Sequence, residues 1–413
     1  MDSIGSKGAV GAVGAVGTIG TNGPGENARE FAPDAAQAPP RAHSLEDAHD
    51  YPALLTAGTV LLDVRSPGEF ARGAFPNAVN LPILDDAERA QVGLCYAREG
   101  QQAAIALGMK IVSGTEKQRR VQAWVDLARA NAGVHVYCWR GGLRSGIARQ
   151  WLAEAGVATP RIAGGFKAMR GFLLAALREA AQAGGHLILG GMTGTGKTEV
   201  LRELPHAIDL EAHANHRGSG FGKRATPQPA QIDFEHRVAI DILTQQRAGL
   251  RRLVLEDESR LIGANALPLE LHEAMQTYPV VWLEADLEAR VDRILRDYVV
   301  DLCAEFVAAH GLVAGREQFS QRLLASLDAI AKRLGGERHA RLKGHMQAAL
   351  AVQAETGEHA AHRAWIVPLL AEYYDPMYAR QLERKATRIV FRGNQAEVLA
   401  YLRAQAVAHS AGG

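Results

Sequence analysis

The sequence predicts an α/β protein of two mainly parallel-sheet domains, the second ending in a largely helical region. Three observations carry this. Short apolar, β-branched runs alternate with amphipathic stretches along the chain. A phosphate-loop motif lies between an apolar run and a helical pattern. A cysteine and a Gly/Arg-rich turn occupy a second strand-to-helix junction.

At 413 residues the chain has room for two ordinary domains. Hydrophobic residues make up 47% and charged residues 22%, the balance of a soluble globular protein. No run approaches the about 18 uninterrupted apolar residues of a membrane span. A net charge of +1 gives no global basic field, so any nucleic-acid contact must use local charge. Three cysteines, Cys95, Cys138 and Cys303, are too few for a secreted disulfide framework and suit a reducing, cytoplasmic setting. Residues 1–42 read as a disordered leader, because GAVGAVGAVGTIG (8–20) is Gly-punctuated and lacks the core of a signal peptide.

The first domain is expected over residues 43–180. TVLLDV (59–64) reads as a buried strand, 117–131 as an amphipathic helix, VHVYC (134–138) as a second strand, and Ser145 to Ala155 as a helix ended by Gly156. Residues 167–183 form an Ala-rich helix that links to the second domain, 181–413. There the strands fall at 186–190, 252–257, 279–284 and 387–391, and 286–373 is almost all helical by periodicity.

Residues 191–198 read GMTGTGKT, a complete G-x-x-x-x-G-K-[ST]. Gly191, Gly194 and Gly196 allow a backbone ring whose N–H groups face one anion. Lys197 adds a charge, Thr198 can hold Mg²⁺, and the helix N-terminus adds its dipole. An acidic partner at a neighbouring strand end is expected at Asp257, with Asp209 the second candidate for a metal or acid/base role. The motif itself leaves open a nucleotide such as ATP or another diphosphate.

Cys138-Trp-Arg-Gly-Gly-Leu-Arg144-Ser145 places a thiol where loop amides, a helix dipole, Arg140 and Arg144 would favour the thiolate. ANHRGSGFG (214–222) cannot be a helix or strand interior. Its His216, Arg217, Ser219 and Phe221 are phosphate- and base-contacting types, with Phe221 suited to stack on a base. The basic stretches 332–343 and 380–392 are the candidate RNA contacts.

LLDVRSPGEFARGAFPNAVNLP (61–82) with the cysteine loop resembles the rhodanese domain. The loop has five residues between Cys138 and Arg144, where sulfurtransferase rhodaneses usually have four; five is the spacing of the related dual-specificity phosphatases, so phosphatase chemistry stays open on loop length. The order of the two halves resembles the tRNA 2-selenouridine synthases. So do GLCYAREG with LGMKIVSG (93–114), GGFKAMR (164–170), LEDESRLIG (255–263) and LLAEYYDPMYARQLERK (369–385).

The resemblance implies a transferase that replaces sulfur by selenium in 2-thiouridine at the tRNA wobble position. It uses selenophosphate and passes through an S-geranylated intermediate made from geranyl diphosphate. It also implies a partner enzyme that produces selenophosphate and no membrane association. On this reading Cys138 carries or positions selenium, Arg140 and Arg144 hold selenophosphate, and the phosphate loop holds the diphosphate. The alternatives are a small-molecule kinase with a rhodanese domain and a sulfur-relay module.

Overall fold

The computed structural model describes residues 46–410, with side chains to residue 405; the 1–42 leader lies outside the described residues. The first half runs α1 (Tyr51–Thr56), β1 (Leu61–Asp63), α2 (Pro67–Ala71), β2 (Ala78–Asn80), α3 (Asp86–Glu99), α4 (Gln101–Ile111), α5 (Gly114–Ala130), β3 (His135–Tyr137), α6 (Leu143–Glu154) and α7 (Gly165–Ala183). Its sheet is parallel, in the order β2-β1-β3. Single parallel bridges, Val136 to Arg161 and Ala48 to Ile162, extend it at the β3 edge.

The second half runs β4 (Leu187–Gly191), α8 (Lys197–Arg202), β5 (Ala207–Ile208), α9 (Leu210–Ala214), α10 (Gln231–Arg247) and β6 (Val254–Glu256). The hairpin β7 (Leu261–Ile262)–β8 (Asn265–Ala266) follows, then α11 (Leu269–Met275) and β9 (Val280–Leu283). Next come α12 (Leu287–Leu295), α13 (Asp301–His310), α14 (Leu312–Ala329), α15 (Ala331–Leu334), α16 (Gly336–Thr356), α17 (Arg363–Leu369) and α18 (Asp375–Lys385). The chain closes with β10 (Ile389–Gly393) and α19 (Gln395–Ser410). The parallel sheet has the order β10-β9-β4-β6-β5, so β4 delivers its C-terminal end to the middle of the sheet. In open α/β sheets that is where ligands bind.

Every strand expected from the apolar runs is present; β1, β4, β6 and β9 are buried on both faces as interior parallel strands are, whereas the edge strand β10 alternates half-buried and exposed residues. The expected linker, α7, is a shared wall instead. Leu173, Leu177 and Ala180 pack in one core with Tyr137 and Phe166 of the first half and Ile188, Phe234 and Val280 of the second. A second core belongs to the helices after residue 290 and includes Phe319, Leu323, Leu342 and Trp365.

Two turns interrupt these helices with π geometry, Arg296–Val300 between α12 and α13 and Leu370–Tyr374 between α17 and α18. Such one-turn widenings are frequent at functional sites. Both face the end of β4.

Candidate active sites

The phosphate loop leaves β4 at Gly191 and enters α8 at Lys197. Gly194 (φ +82°) and Gly196 (φ +94°) turn the backbone through the left-handed region, and a Cβ at Gly194 would sit 2.9 Å from the Arg290 carbonyl. Two arginines brace the loop from behind. Arg290, buried, donates to the Thr193 carbonyl at 2.9 Å and pairs with Asp375 at 2.5 Å; Arg293 donates to the Gly194 carbonyl at 3.0 Å. Sequence reasoning missed both, although Asp375 lies within the 369–385 stretch.

The loop opens on a pocket of about 710 Å³. Lys197 and Thr198 line it, and Lys197 Nζ reaches the Gly191 carbonyl at 3.3 Å. The carboxylates gathered beside Lys197 are Glu211, Glu256 and Glu258, whose oxygens lie within 4.8 Å of one another. Burial, then repulsion from neighbouring carboxylates, raises the pKa of Glu211 and Glu256 well above the carboxylate range; burial also raises Glu258, against the pull of Lys197 and a hydrogen bond with Glu211. Burial works against the Lys197 charge, but Tyr378 and the three glutamates more than offset it and hold the lysine protonated.

Asp257 also lines the pocket, but its carboxylate pairs with Lys385 at 2.5 Å. Among the described residues, the carboxylates close enough to share one cation are Glu211, Glu256 and Glu258. Glu256 ends β6 and the chain then turns, with the Glu258 N–H donating to the Glu256 carbonyl at 3.0 Å, and the two carboxylates come together with Glu211. Asp209 caps α9, accepting from the Ala212 N–H at 2.8 Å, and also lines the pocket, where its charge helps raise the Glu256 pKa.

The 214–222 loop folds over the pocket. His216, Arg217 and Ser219 line it. Burial, with Arg322 and Lys223 adding to it, lowers the His216 pKa to about 4, so its ring is neutral. Arg217 lies over the Tyr298 ring at 5.4 Å and faces Asp297 at 3.4 Å. Ser219 Oγ donates to Tyr298 Oη at 3.3 Å.

Phe221 does not serve as a base platform. It is 4% exposed and stacks on Trp365 inside the helical core, which leaves no ring face free. The two π turns supply the pocket's aromatic wall instead, with Tyr298 from one and Tyr373 and Tyr374 from the other.

The cysteine loop leaves β3 and enters α6. It is braced by the first turn of α7: the Phe166 N–H donates to the Cys138 carbonyl and the Lys167 N–H to the Trp139 carbonyl, both at 2.9 Å. Gly165 is required there, since a Cβ would lie 2.2 Å from the Cys138 carbonyl. Cys138 is buried, its Sγ 3.2 Å from Ser145 Oγ. Arg140 is exposed.

Arg144 does not point freely into the loop. It makes two bonds to Glu69, at 2.5 and 3.0 Å, and Arg89 of α3 shares the same carboxylate at 3.0 Å. Burial works to raise the Glu69 pKa, but these arginines and the Ser66 N–H bring it down to about 2. Beneath the loop, Asp63 accepts from Tyr137 Oη at 2.7 Å and pairs with Arg65, whose guanidinium lies 4.0 Å over Phe166.

Much of the basic charge at 332–343 is used in the fold: Arg338 and Arg341 pair with Glu372, and Lys343 with Asp328. In the 380–392 stretch, Arg380, Arg384 and Arg392 are exposed. Among the described residues no helix is long and apolar enough to cross a membrane.

Comparison with known proteins agrees with this two-site layout. Residues 47–171 match the rhodanese-like domain family, and residues 185–409 match the tRNA 2-selenouridine synthase AAA domain. The tRNA 2-selenouridine synthase of Bordetella petrii is 60% identical over 358 residues, covering 86% of this chain and 96% of that one. Those of Azotobacter vinelandii (60%; 86% and 97% covered) and Pseudomonas syringae pv. syringae (56%; 87% and 98%) match equally broadly. With both domains matched in order and near-complete coverage of its relatives, the chain belongs to the tRNA 2-selenouridine synthase family.

Proposed function

We propose that this enzyme replaces sulfur by selenium in 2-thiouridine at the wobble position of tRNA, in two stages served by two sites. The observation that carries the reading is the coexistence, in one compact unit, of a phosphate loop and a buried cysteine loop in a chain 60% identical to named tRNA 2-selenouridine synthases. A cytoplasmic setting fits the three free cysteines.

At the first site, Gly191, Gly194, Gly196 and Lys197 bind the diphosphate of geranyl diphosphate, and Thr198 assists. The oxygen-only set of Glu211, Glu256 and Glu258 beside Thr198 suits a hard divalent cation, whose charge would offset the burial that raises their pKa and favour their ionised form. These residues and Thr198 would hold Mg²⁺, which would neutralise charge building on the departing diphosphate. The neighbouring aromatic wall offers the geranyl chain an apolar surface. Transfer forms a C–S bond to the thiocarbonyl sulfur, breaks the C–O bond to diphosphate and releases the N3 proton. No nucleotide need be hydrolysed.

At the second site, selenophosphate replaces the alkylated sulfur. An S-alkylated sulfur leaves as a thiol, whereas a bare thiocarbonyl sulfur is hard to expel. The C2–S bond breaks and C2=Se forms. Water takes the phosphorus, giving phosphate, and protons pass to N3 and the departing thiol. Selenium stays at the selenide level throughout, so the exchange needs no electron donor. A perselenide on Cys138 would be two electrons more oxidised, needing an oxidant to form and a reductant to release its selenium as selenide. We therefore assign Cys138 to positioning selenophosphate, with Arg140 as its exposed cationic contact and Arg144 set by Glu69.

Nucleoside mass spectrometry of 2-thiouridine tRNA, given geranyl diphosphate and then selenophosphate, tests the reading. Lys197→Ala abolishes the geranylated nucleoside yet still converts pre-geranylated tRNA. Cys138→Ser accumulates the geranylated nucleoside. Unimpaired selenation by Cys138→Ser would remove the cysteine from the scheme, and normal geranylation by Lys197→Ala would remove the phosphate loop.

A further inference from the structure

A second cavity, of about 500 Å³, lies away from the phosphate loop. It sits between α3, α4 and α6 within the size range of small-molecule sites, about 300–1,000 Å³. Val92, Ala104, Ile105, Leu143 and Ile147 line it, with two charged side chains, Arg89 and Arg144. Both arginines end on the single carboxylate of Glu69, which leaves one positive charge in excess at that end. Leu143 and Arg144 also form the start of α6, so this cavity and the Cys138 loop share a wall.

The helices that cover the cavity are underpacked. α3 buries none of its 14 residues and α4 buries only Ala104. Two helices ordered on so little apolar contact leave a core incomplete. Their root is nevertheless fixed: Arg120 pairs with Glu88 at 2.9 Å and also reaches the Ile83 carbonyl. Tyr96, Met109 and Leu143 stay 59%, 44% and 50% exposed around the cavity. An apolar chamber with a cationic end, separated from the cysteine loop only by the first turn of α6, fits an amphiphile whose polar head reacts at the loop.

From this geometry we infer that the α3–α4 cavity holds the alkyl chain on the sulfur of the S-alkylated wobble uridine during sulfur displacement, separately from the site that binds the same chain as diphosphate donor. The inference rests on the two-stage reading above. Holding the chain there places C2 of the base at the cysteine loop and keeps the departing alkyl thiol out of water until selenium is in place. Geranyl transfer is then independent of this cavity, and displacement depends on it.

The test uses the full-length enzyme, selenophosphate, and synthetic anticodon stem-loops carrying S-methyl-, S-butyl- or S-geranyl-2-thiouridine. In the wild type, selenation kcat/KM rises with chain length, by roughly fourfold per buried methylene. Ala104→Phe fills the cavity and flattens this series to the S-methyl level, leaving geranyl transfer from geranyl diphosphate to 2-thiouridine unchanged. Ile147→Ala enlarges the cavity instead and favours longer chains, which keeps the test decisive if the Phe variant folds poorly.

A chain-length series that is flat in the wild type, or unaltered by both substitutions, overturns the inference. If the wild type makes no geranylated nucleoside, the two-stage reading fails instead. The pre-alkylated stem-loops still report on the cavity in that case.

Discussion

His236 offers a quantitative test of how the two halves are joined. It lies on α10, fully buried, and stacks on Phe75 of the first half at 4.6 Å. Its Nδ1 lies 2.8 Å from the Ala74 carbonyl and so carries the proton; Nε2 accepts from Arg170 at 3.3 Å. Burial, followed by the nearby Arg170 and Arg65, lowers its pKa to about 4 from the ordinary 6.5, against the pull of the Ala74 carbonyl. The unfolded chain therefore binds more protons than the native one between these values, so stability rises with pH across that window and falls on acidification.

From the two pKa values, wild type should lose about 2 kcal/mol through this one residue between pH 7.5 and 5.0. His216 and His362, also lowered to about 4, add similar amounts, so the total fall is not diagnostic. The His236→Gln variant isolates the residue. Urea unfolding of both proteins at the two pH values gives a double difference, in which the variant loses about 2 kcal/mol less than wild type. Equal losses would show that His236 does not hold its neutral form at the junction, and the account of this interface would be wrong.

Other substitutions separate neighbouring roles. Phe221→Ala should cost about 3–5 kcal/mol in urea unfolding, by opening a cavity against Trp365; the residual folded enzyme should bind tRNA normally. Glu256→Gln should remove geranyl transfer and leave selenation of pre-geranylated tRNA. By contrast, Asp257→Asn should retain geranyl transfer and lose roughly 1–3 kcal/mol of stability through Lys385; a catalytic defect as deep as that of Glu256→Gln would restore Asp257 to the site.

The parts legible in the sequence are those whose function is built from contiguous residues. GMTGTGKT contains its own ring geometry, and the strand before Cys138 announces the turn after it. The parallel strands were legible because burial on both faces writes them as unbroken apolar runs. What sequence order hid was composed across the fold. LVLEDES offers three adjacent acids, and only the fold decides that Asp257 is taken up by Lys385 while Glu256 and Glu258 gather beside Lys197. Glu211 joins them from α9, a connection no local pattern encodes. Phe221 misled for a related reason: its glycine-rich surroundings look solvated, yet the helices after residue 290 close over it.

The shared core gives a physical reason for keeping both chemistries in one body. Arg65, which pairs with Asp63 beneath the cysteine loop, also donates to the Gly73 carbonyl at 2.9 Å. One residue later, the Ala74 N–H donates to Asp233 on α10 at 2.6 Å, and Phe75 stacks on His236. Gly73 (φ +153°) is the close-approach point, since a Cβ there would lie 2.3 Å from Ile232. Residues 73–75 are thus fixed at one end by the floor of the cysteine site. At the other they are held by the helix that follows the 214–222 loop over the phosphate site. A rigid connection of this kind does not transmit a signal by itself. It does hold the two loops at a constant separation, so that on the two-stage proposal an alkylated base leaving one loop for the other would have a fixed distance to cross.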